Sequence, residues 1–382
     1  MTEPDETTRP RIDRVVAPTV VALQRCADYS PERVGEALGA LLAGLGGLEP
    51  TVQGRRVLIK PNFLTARPAD RAVCTHPQVI ASLAEAALRA GAREVVVADS
   101  PAAVPASRVA EKLGLLSLLA PLGVSILDLR ETTEVRLPQG RFPRLLLARQ
   151  ILDAQVVLNL AKMKTHGLCG MTMAVKNCFG AVLGLTKAEW HLRAGHDAGA
   201  FAALLVEICR VVAPAISIVD AIDSMDGNGP GAGRVRRTGF LAASTDPFVL
   251  DRVLAGICRV PAERVTTFGP DGDPDLSAVQ YAGVPPESLT VADWELPSHV
   301  NPLFSRLRFL RHFLVPMPRF SRKTCNLCGQ CVKLCPKRAL SLSIKRVELD
   351  DASCIRCFCC QELCPKGAIT VHRRFRLGKG LP

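Results

Sequence analysis

The sequence predicts an α/β main domain with a mostly parallel sheet, residues 1–296, and a small α+β domain at the C-terminus, residues 321–382. Two observations support this division. Apolar strand-like segments alternate with helical segments along the first part of the chain, which is typical of parallel α/β sheets. Nine of the 15 cysteines, by contrast, lie between Cys325 and Cys364.

A strand, a helix and a second strand form the first recognisable unit of the main domain. Residues 56–60 and 94–98 are apolar runs that predict strands, and the pattern after His76 predicts a helix that ends at Gly91. This spacing indicates a βαβ unit with parallel strands. Polar residues follow both strands, at the edge where open α/β sheets usually hold their ligands.

Further segments continue the same alternation. A helix that contains Lys176 and Asn177 is expected to begin near Gly167. The other predicted elements are strands over residues 125–129, 156–160, 216–219 and 239–243, and helices over residues 201–212 and 246–258.

A basic amphipathic segment, residues 297–320, is predicted to link the two domains. Its arginines alternate with leucines and phenylalanines. We expect a connecting helix that packs on the main domain, and contact with a membrane surface or an acidic partner is the alternative.

Composition favours a globular chain in a reducing compartment. Hydrophobic residues make up 48% and charged residues 22% of the 382 residues. The polar N-terminus does not resemble a secretory signal, and no apolar run reaches about 18 residues, so we expect a cytoplasmic protein without a transmembrane segment. Clustered cysteines in such a chain indicate metal or redox chemistry rather than disulfides.

The clustered cysteines form two runs with the spacing C-x2-C-x2-C-x3-C-P, which begin at Cys325 and Cys354. This spacing is typical of bacterial ferredoxins with two 4Fe–4S clusters, in which the fourth cysteine of each run binds the other cluster. Zinc is the alternative, but its structural sites usually pair two C-x2-C units across a longer spacer. Cys359 lies between ligands and is expected to be a bystander. The predicted ligands are Cys325, Cys328, Cys331 and Cys364 for cluster one, and Cys354, Cys357, Cys360 and Cys335 for cluster two.

The net charge of +12 bears on the partners that the chain can bind. Each oxidised cluster with its four thiolates adds roughly −2, which leaves the loaded protein at about +8. Such a balance favours acidic partners, and we expect a redox partner protein. Nucleic acid is not expected, because no recognised binding motif is present and aromatic residues make up only 4%.

Lysines and histidines in the main domain suggest a site for an anionic ligand. The candidate catalytic residues are Lys164, His166 and Lys176, although the sequence does not assign a reaction to them. Glycines within residues 227–233 predict a mobile loop with exposed N–H groups. The alternatives are solvated lysines and a helix-capping His76. His191 could reach a ligand, but we expect it at the surface. The candidate cofactor-binding residues are Lys60, Asn62, His76, Lys162, Asn177 and Asn228.

The main domain also resembles a known family, the iron–sulfur-associated proteins called domain of unknown function 362, over roughly residues 50–260. The family has no settled reaction, so the resemblance implies an architecture and little chemistry. Asp226 stands where the family pattern leads us to expect a glutamate. The resemblance is carried by Lys60-Pro61-Asn62, Thr75-His76-Pro77, Asp99-Ser100-Pro101, Lys162-Met163-Lys164-Thr165-His166, Met171-Thr172, Lys176-Asn177-Cys178-Phe179-Gly180, Asp220, Met225-Asp226-Gly227-Asn228-Gly229-Pro230 and Ser244-Thr245-Asp246-Pro247.

Three functions are compatible with these features. The first is an iron–sulfur oxidoreductase in which the clusters exchange electrons with an anionic ligand or an additional organic cofactor, whose identity the sequence does not reveal. The second is an electron carrier or adaptor without its own substrate. The third is an assembly or maturation factor with structural clusters. The first is our hypothesis, because the polar constellation is more elaborate than a cluster scaffold requires.

Overall fold

The computed structural model describes residues 19–184, 186–194, 198–270, 272–297 and 317–372. Residues 298–316, which make up most of the predicted linker, lie outside the described residues, as does the basic tail after residue 372.

The described residues form the following elements. The strands are β1 Val20–Arg25, β2 Arg56–Pro61, β3 Glu94–Asp99, β4 Ser125–Asp128, β5 Thr132–Arg136, β6 Arg144–Ala148, β7 Val156–His166, β8 Gly170–Thr172, β9 Ile216–Asp226, β10 Arg234–Ser244, β11 Gln280–Gly283, β12 Met317–Phe320, β13 Leu340–Leu342, β14 Val347–Leu349 and β15 Ile369–His372. The α-helices are α1 Pro31–Ala43, α2 Glu49–Val52, α3 Pro77–Arg89, α4 Ala106–Lys112, α5 Leu115–Leu119, α6 Arg149–Leu152, α7 Ala174–Asn177, α8 Thr186–Ala194, α9 Ala198–Val212, α10 Pro247–Ile257, α11 Gln330–Lys333 and α12 Cys359–Glu362.

The main domain is a three-layer α/β fold, and its mostly parallel sheet confirms the predicted fold class. The sheet has the order β11-β1-β10-β9-β7-β2-β3-β4, with β8 paired to β7. Strands β4, β3, β2, β7 and β9 are parallel neighbours, whereas β10 is antiparallel to both β9 and β1. Helices α1, α3, α4 and α5 pack on one face, and α7, α9 and α10 pack on the other.

Helix α3 shows how local sequence sets an element. His76 caps its first turn by accepting a hydrogen bond from the Gln78 N–H at 3.2 Å, and Pro77 occupies the first helical position. The chain leaves the helix at Gly91, whose φ of 83° suits glycine. The predicted boundaries of this helix agree with the structure to within a residue or two.

Two central strands are longer than their apolar cores predict. Strand β7 continues through Lys162 and Lys164 to His166, and every one of its residues is buried. Strand β9 likewise continues through Asp220 to Asp226. Buried charges are tolerated when they are paired, and the partners of these side chains come from distant segments that periodicity does not reveal.

The predicted start of the helix that holds Lys176, near Gly167, is wrong. Residues 167–169 form a turn, Gly170–Thr172 form β8, and the helix that holds Lys176 spans only Ala174–Asn177. Gly170 has a φ of 73°, and a Cβ there would collide with the carbonyl of Arg264. The chain therefore reverses at this glycine instead of beginning a helix.

The C-terminal domain is built from two similar halves. Strand β12 pairs with β15, and β13 pairs with β14, both antiparallel. Because Met317–Phe320 belong to this sheet, they are part of the C-terminal domain rather than of the linker in which they were predicted.

The two domains are fixed to each other by buried polar contacts. Arg67 donates from Nε to the Pro365 carbonyl at 3.0 Å, from Nη2 to the Cys364 carbonyl at 2.5 Å, and from Nη1 to the Gly231 carbonyl. Gln361 Nε2 donates to the carbonyl and side-chain oxygens of Asn228 at 3.0 and 3.1 Å.

The same contacts correct the expectation of a mobile loop at residues 227–233. Gly229 and Gly231 are buried, and the Gly229 N–H donates to Thr165 Oγ1 at 3.3 Å. A Cβ at Gly229 would collide with Thr165. The glycines therefore permit close packing between β7 and the C-terminal domain.

Candidate functional site

The two cysteine runs adopt matching backbone conformations. Residues at equivalent places, 29 positions apart, have positive φ: Leu327 (56°) matches Arg356 (59°), and Gly329 (72°) matches Phe358 (58°). These left-handed residues tighten each loop so that its cysteines point inward. The internal repeat is thus visible in the backbone as well as in the sequence.

The first predicted ligand set surrounds a cavity. Its four cysteines line a space of about 340 Å³, part of it open to solvent. Burial, together with the neighbouring thiols of Cys364, Cys325 and Cys328, raises the pKa of the Cys331 thiol to about 11. The Leu327 N–H points at Cys325 Sγ at 3.4 Å, and the Ala368 N–H points at Cys364 Sγ at 3.3 Å. Four cysteines around one cavity, two of which accept backbone N–H bonds at sulfur, fit a 4Fe–4S cluster, which needs four thiolates.

The second predicted set also converges. Burial raises the pKa of the Cys360 thiol well above its usual value, and Cys357, Cys354 and Cys335 contribute as close neighbours. The Ala339 N–H donates to Cys335 Sγ at 3.2 Å, which repeats the contact of the first set. When loaded, both sites would supply one-electron redox chemistry.

Three of the predicted lysines are buried inside the main domain. Lys60 forms an ion pair with Asp99 at 2.9 Å. Lys162 forms an ion pair with Asp220 at 2.8 Å and donates to the Tyr29 hydroxyl at 2.8 Å. These two lysines are paired with acids on neighbouring strands, Asp99 at the end of β3 and Asp220 within β9, so both charges are compensated inside the sheet.

Lys164 is buried, and it forms no ion pair with any acid in the described part of the chain. Its Nζ donates to Asn62 Oδ1 at 2.6 Å and to the Val73 carbonyl at 2.7 Å. Burial lowers the pKa of Lys164 to about 7. This amine therefore changes its charge near neutral pH, and it orients the side chain of Asn62.

His166 connects the main domain to the C-terminal domain. Its Nδ1 accepts hydrogen bonds from the N–H groups of Leu168 at 3.1 Å and Cys169 at 3.3 Å. The proton is thus on Nε2, which donates to Glu362 Oε1. Burial lowers the pKa of His166 to about 4, so the ring is neutral at pH 7.

Glu362 carries the negative charge of this contact. Burial alone would raise the pKa of its carboxyl, but Lys176 and His166 hold the pKa well below its usual value. A carboxylate of the C-terminal domain is therefore held in an electropositive recess of the main domain.

A cleft of about 630 Å³, part of it open to solvent, lies at this junction. Asn62, Lys176 and Asn177 of the predicted site line it from the main domain. The C-terminal domain contributes Glu362 and Cys359, the latter next to the predicted ligand Cys360. The remaining lining residues are Phe63, Leu64, Asp99, Ser100, Pro101, Ala102, Phe179, Gly180, Gly184, Lys187, Ala188, His191, Leu334 and Leu363.

Asn177 presents an acceptor beside the cleft. Its Nδ2 donates to the Lys60 carbonyl at 3.2 Å and to Asn159 Oδ1 at 2.8 Å, which fixes the orientation of the amide. Its Oδ1 is buried and has no hydrogen-bond partner among the residues that the structure describes.

Two other predicted binding residues lie elsewhere. His76 caps α3 and stacks on the Tyr29 ring, with ring centroids 3.6 Å apart. Asn228 joins the domains through Gln361 and accepts from the Val371 N–H at 3.3 Å.

His191 lines the cleft, so its expected place on the surface is wrong. The ring is buried against Phe201, with centroids 4.3 Å apart, and lies edge-on to Phe179. The mostly polar helix α8 offered no sequence signal for this burial.

Lys187 and Glu362 are cleft residues that sequence reasoning missed. Lys187 donates to the Val182 carbonyl at 2.7 Å and to the Ser100 carbonyl, and burial lowers its pKa to about 7. Glu362 lies two residues before the predicted ligand Cys364, and the sequence around it does not predict its burial, which depends on the docking of two domains.

No helix in the described part of the chain has both the length and the apolar character needed to cross a membrane.

Comparisons with known proteins agree with this architecture. The family described as "Domain of unknown function (DUF362)" matches residues 57–256, and a 4Fe–4S dicluster domain matches residues 317–365. The chain is 38% identical, over 305 residues, to the thylakoid-associated protein sll1697 of Synechocystis sp. (strain ATCC 27184 / PCC 6803 / Kazusa). That alignment covers 77% of this chain and 94% of the relative.

Two solved structures show distant similarity. The lactate racemase apoprotein from Thermoanaerobacterium thermosaccharolyticum is 12% identical with a TM-score of 0.39, over 61% of this chain and 55% of that one. A protein from Thermotoga maritima is 14% identical with a TM-score of 0.35, over 50% of each chain. This chain thus spans about half the length of either protein. From the family match and the relative in Synechocystis, the chain belongs to the DUF362 family, with an iron–sulfur domain of the two-cluster ferredoxin type at its C-terminus.

Proposed function

We propose that this protein is an iron–sulfur oxidoreductase whose α/β domain binds a small anionic ligand in the cleft between the domains. Two 4Fe–4S clusters, held by the two cysteine sets, would exchange electrons with that ligand. The observation that supports this function best is the composition of the cleft, which is lined jointly by Lys176 and Asn177 and by Cys359 beside the second cysteine set.

The position of the cleft suits electron exchange. Cys359 begins helix α12 and is adjacent to Cys360, so a ligand that touches Cys359 lies next to the loop that would hold cluster two. Leu334 and Leu363 also line this side, and Leu334 precedes the predicted ligand Cys335. Electron transfer slows steeply with distance, and this arrangement keeps the distance short.

The charges in the cleft suit a ligand with one negative group. Lys176 is only half-buried, and its Nζ has no hydrogen-bond partner among the described residues, although it lies over the Phe179 ring at 5.8 Å. Glu362 offsets part of its charge. Lys187, with a pKa near 7, could give or take a proton at neutral pH, as general acid–base chemistry requires.

The three candidate catalytic residues thereby receive different roles. Lys176 would contact the ligand directly. His166 would hold Glu362 in place, and Lys164 would orient Asn62 at the cleft wall. His166 and Lys164 are therefore positioning residues in this proposal.

A ligand screen tests the proposal. Small mono- and dicarboxylates and phosphate esters would be added to the loaded protein, and the thermal midpoint would be recorded. At least one compound should raise the midpoint of the wild type, and Lys176→Met should abolish that shift. Arg93→Met is the matched control, because Arg93 is exposed at the amino end of β3, away from the cleft at its carboxyl end. An equal loss in both variants, or no stabilising anion at all, would contradict the anionic-ligand assignment.

The cytoplasmic location stays a prediction. The curated relative is named as thylakoid-associated, so attachment of this chain to a membrane surface is the competing proposal. Fractionation of cells that produce the full chain distinguishes the two, because only the second places the protein in the membrane pellet at low salt.

A further inference from the structure

The two cysteine sets differ in what surrounds them. Cys359, next to the second set, is buried and packs against Ala102 and Ala103 of the main domain. In the first set, Cys328 is exposed, and the cavity that this set lines is partly open to solvent. The second set therefore lies beside the cleft, whereas the first set reaches the surface at Cys328 and is called the outward-facing set.

Exposed basic residues surround the outward-facing set. Arg322 and Lys323 lie three and two residues before Cys325, and Lys366 lines the cavity itself. Lys345 and Arg346 lie in the β13–β14 hairpin, whose Val347 lines the same cavity. The hairpin carries one acidic residue, Glu348, and it is paired with Arg346 at 3.0 Å.

The hairpin also exposes apolar side chains. Ile344 is 94% exposed and Leu342 is 48% exposed. Among the large hydrophobic residues in the described part of the chain, Ile344 is the most exposed. An apolar centre with charged residues around it is the usual anatomy of a protein–protein contact.

We propose that this surface, named the carrier face and formed by Arg322, Lys323, Cys328, Ile344, Lys345 and Lys366, docks an acidic one-electron carrier protein. Positive charge around the outward-facing cysteines would attract and orient such a carrier, and Ile344 would supply apolar contact. One electron passes between the carrier and the adjacent cluster, so the carrier is oxidised as the cluster is reduced, or the reverse. No bond forms or breaks.

The proposal rests on the cluster assignment above but not on the ligand of the cleft. It assigns the two ends of the C-terminal domain to different tasks, with the carrier at the first cysteine set and the ligand at the second.

Binding is the first test. The probe is an acidic plant-type ferredoxin, titrated against the loaded full-length protein by calorimetry at about 20 mM and 300 mM salt. The double variant Lys323→Glu/Lys366→Glu should weaken binding at least about tenfold at low salt, and the difference should shrink at high salt. Ile344→Ser should weaken binding at both salt concentrations.

Two controls keep the test falsifiable. Arg93→Glu changes the charge on the main domain away from the carrier face and should leave binding within about twofold. A basic cytochrome c should be reduced faster by the dithionite-reduced double variant than by the wild type. Slower reduction of cytochrome c, or equal weakening by Arg93→Glu, would overturn the docking assignment.

Two further outcomes would also overturn the inference. In the first outcome, the wild type binds anionic vesicles but not the ferredoxin, and the double variant no longer binds the vesicles. The other is normal ferredoxin binding by the double variant. Iron content of every variant is measured beside binding, so a failure of the cluster assignment is distinguishable from a failure of the carrier face.

Discussion

The contact between His166 and Glu362 gives the sharpest stability prediction, because it joins the two domains through a buried charge. Replacing Glu362 by alanine removes the acceptor of the His166 Nε2–H and the carboxylate beside Lys176. Replacing it by glutamine keeps an acceptor oxygen but removes the charge. The two variants therefore separate the hydrogen bond from the charge.

The structure sets the size of the effect. His166 is 1% exposed and Glu362 is 8% exposed, so water cannot easily replace the lost partner. A hydrogen bond to a charged group contributes about 1.5–3 kcal/mol. We expect Glu362→Ala to lower the free energy of local opening at this junction by about 2 kcal/mol and Glu362→Gln by about 1 kcal/mol.

Hydrogen exchange reports this opening directly. The N–H groups of Leu168 and Cys169 donate to His166 Nδ1, so their exchange follows the position of the ring. A loss of about 2 kcal/mol should speed their exchange about thirtyfold. The control is Glu348→Ala, which removes an exposed acid of the same domain and should change exchange less than twofold. Equal exchange in Glu362→Ala and Glu348→Ala would refute the assigned role.

Three further predictions concern two glycines, a buried histidine and two cysteines. Gly180→Ala places a Cβ against the buried ion pair of Lys60 and Asp99, so it should lower the free energy of unfolding in urea by about 3–5 kcal/mol. Gly35→Ala is the control: its Cβ lies in open space within α1, and it should raise the free energy of unfolding by about 0.5–1 kcal/mol. Burial lowers the pKa of His191 from 6.5 to about 4, so the folded state binds fewer protons than the unfolded state. The contribution of this neutral ring to the free energy of unfolding is complete above pH 6.5, and about 2 kcal/mol of it is lost by pH 5. His191→Phe should remove that loss when the free energy of unfolding is compared at the two pH values. Cys359→Ala should keep the iron content of the wild type, and Cys328→Ser should lower it; equal iron in both variants would contradict the ligand set.

Features encoded by neighbouring residues were predictable from the sequence. Apolar runs located the cores of β2, β3, β7 and β9, because a strand buried on both faces is apolar over several consecutive residues. The two ligand sets were also predictable, because one tight loop supplies three of the four cysteines in each set and their spacing is visible in the sequence.

Features that depend on distant contacts were not predictable. Lys162 extends β7 only because Asp220 neutralises it from the neighbouring strand. His191 is buried because phenylalanines of two other segments enclose it. The cleft itself exists only when the domains dock, so the part that Glu362 plays in it could not be seen in any local pattern.

The central claim, that two clusters lie on this chain in the two crossed cysteine sets, is tested most directly by anaerobic purification followed by iron and sulfide analysis and low-temperature EPR of the dithionite-reduced protein. We predict about eight irons per chain and the signal of two interacting reduced clusters. Zinc in place of iron, or about four irons with the signal of a single isolated cluster, would contradict the claim.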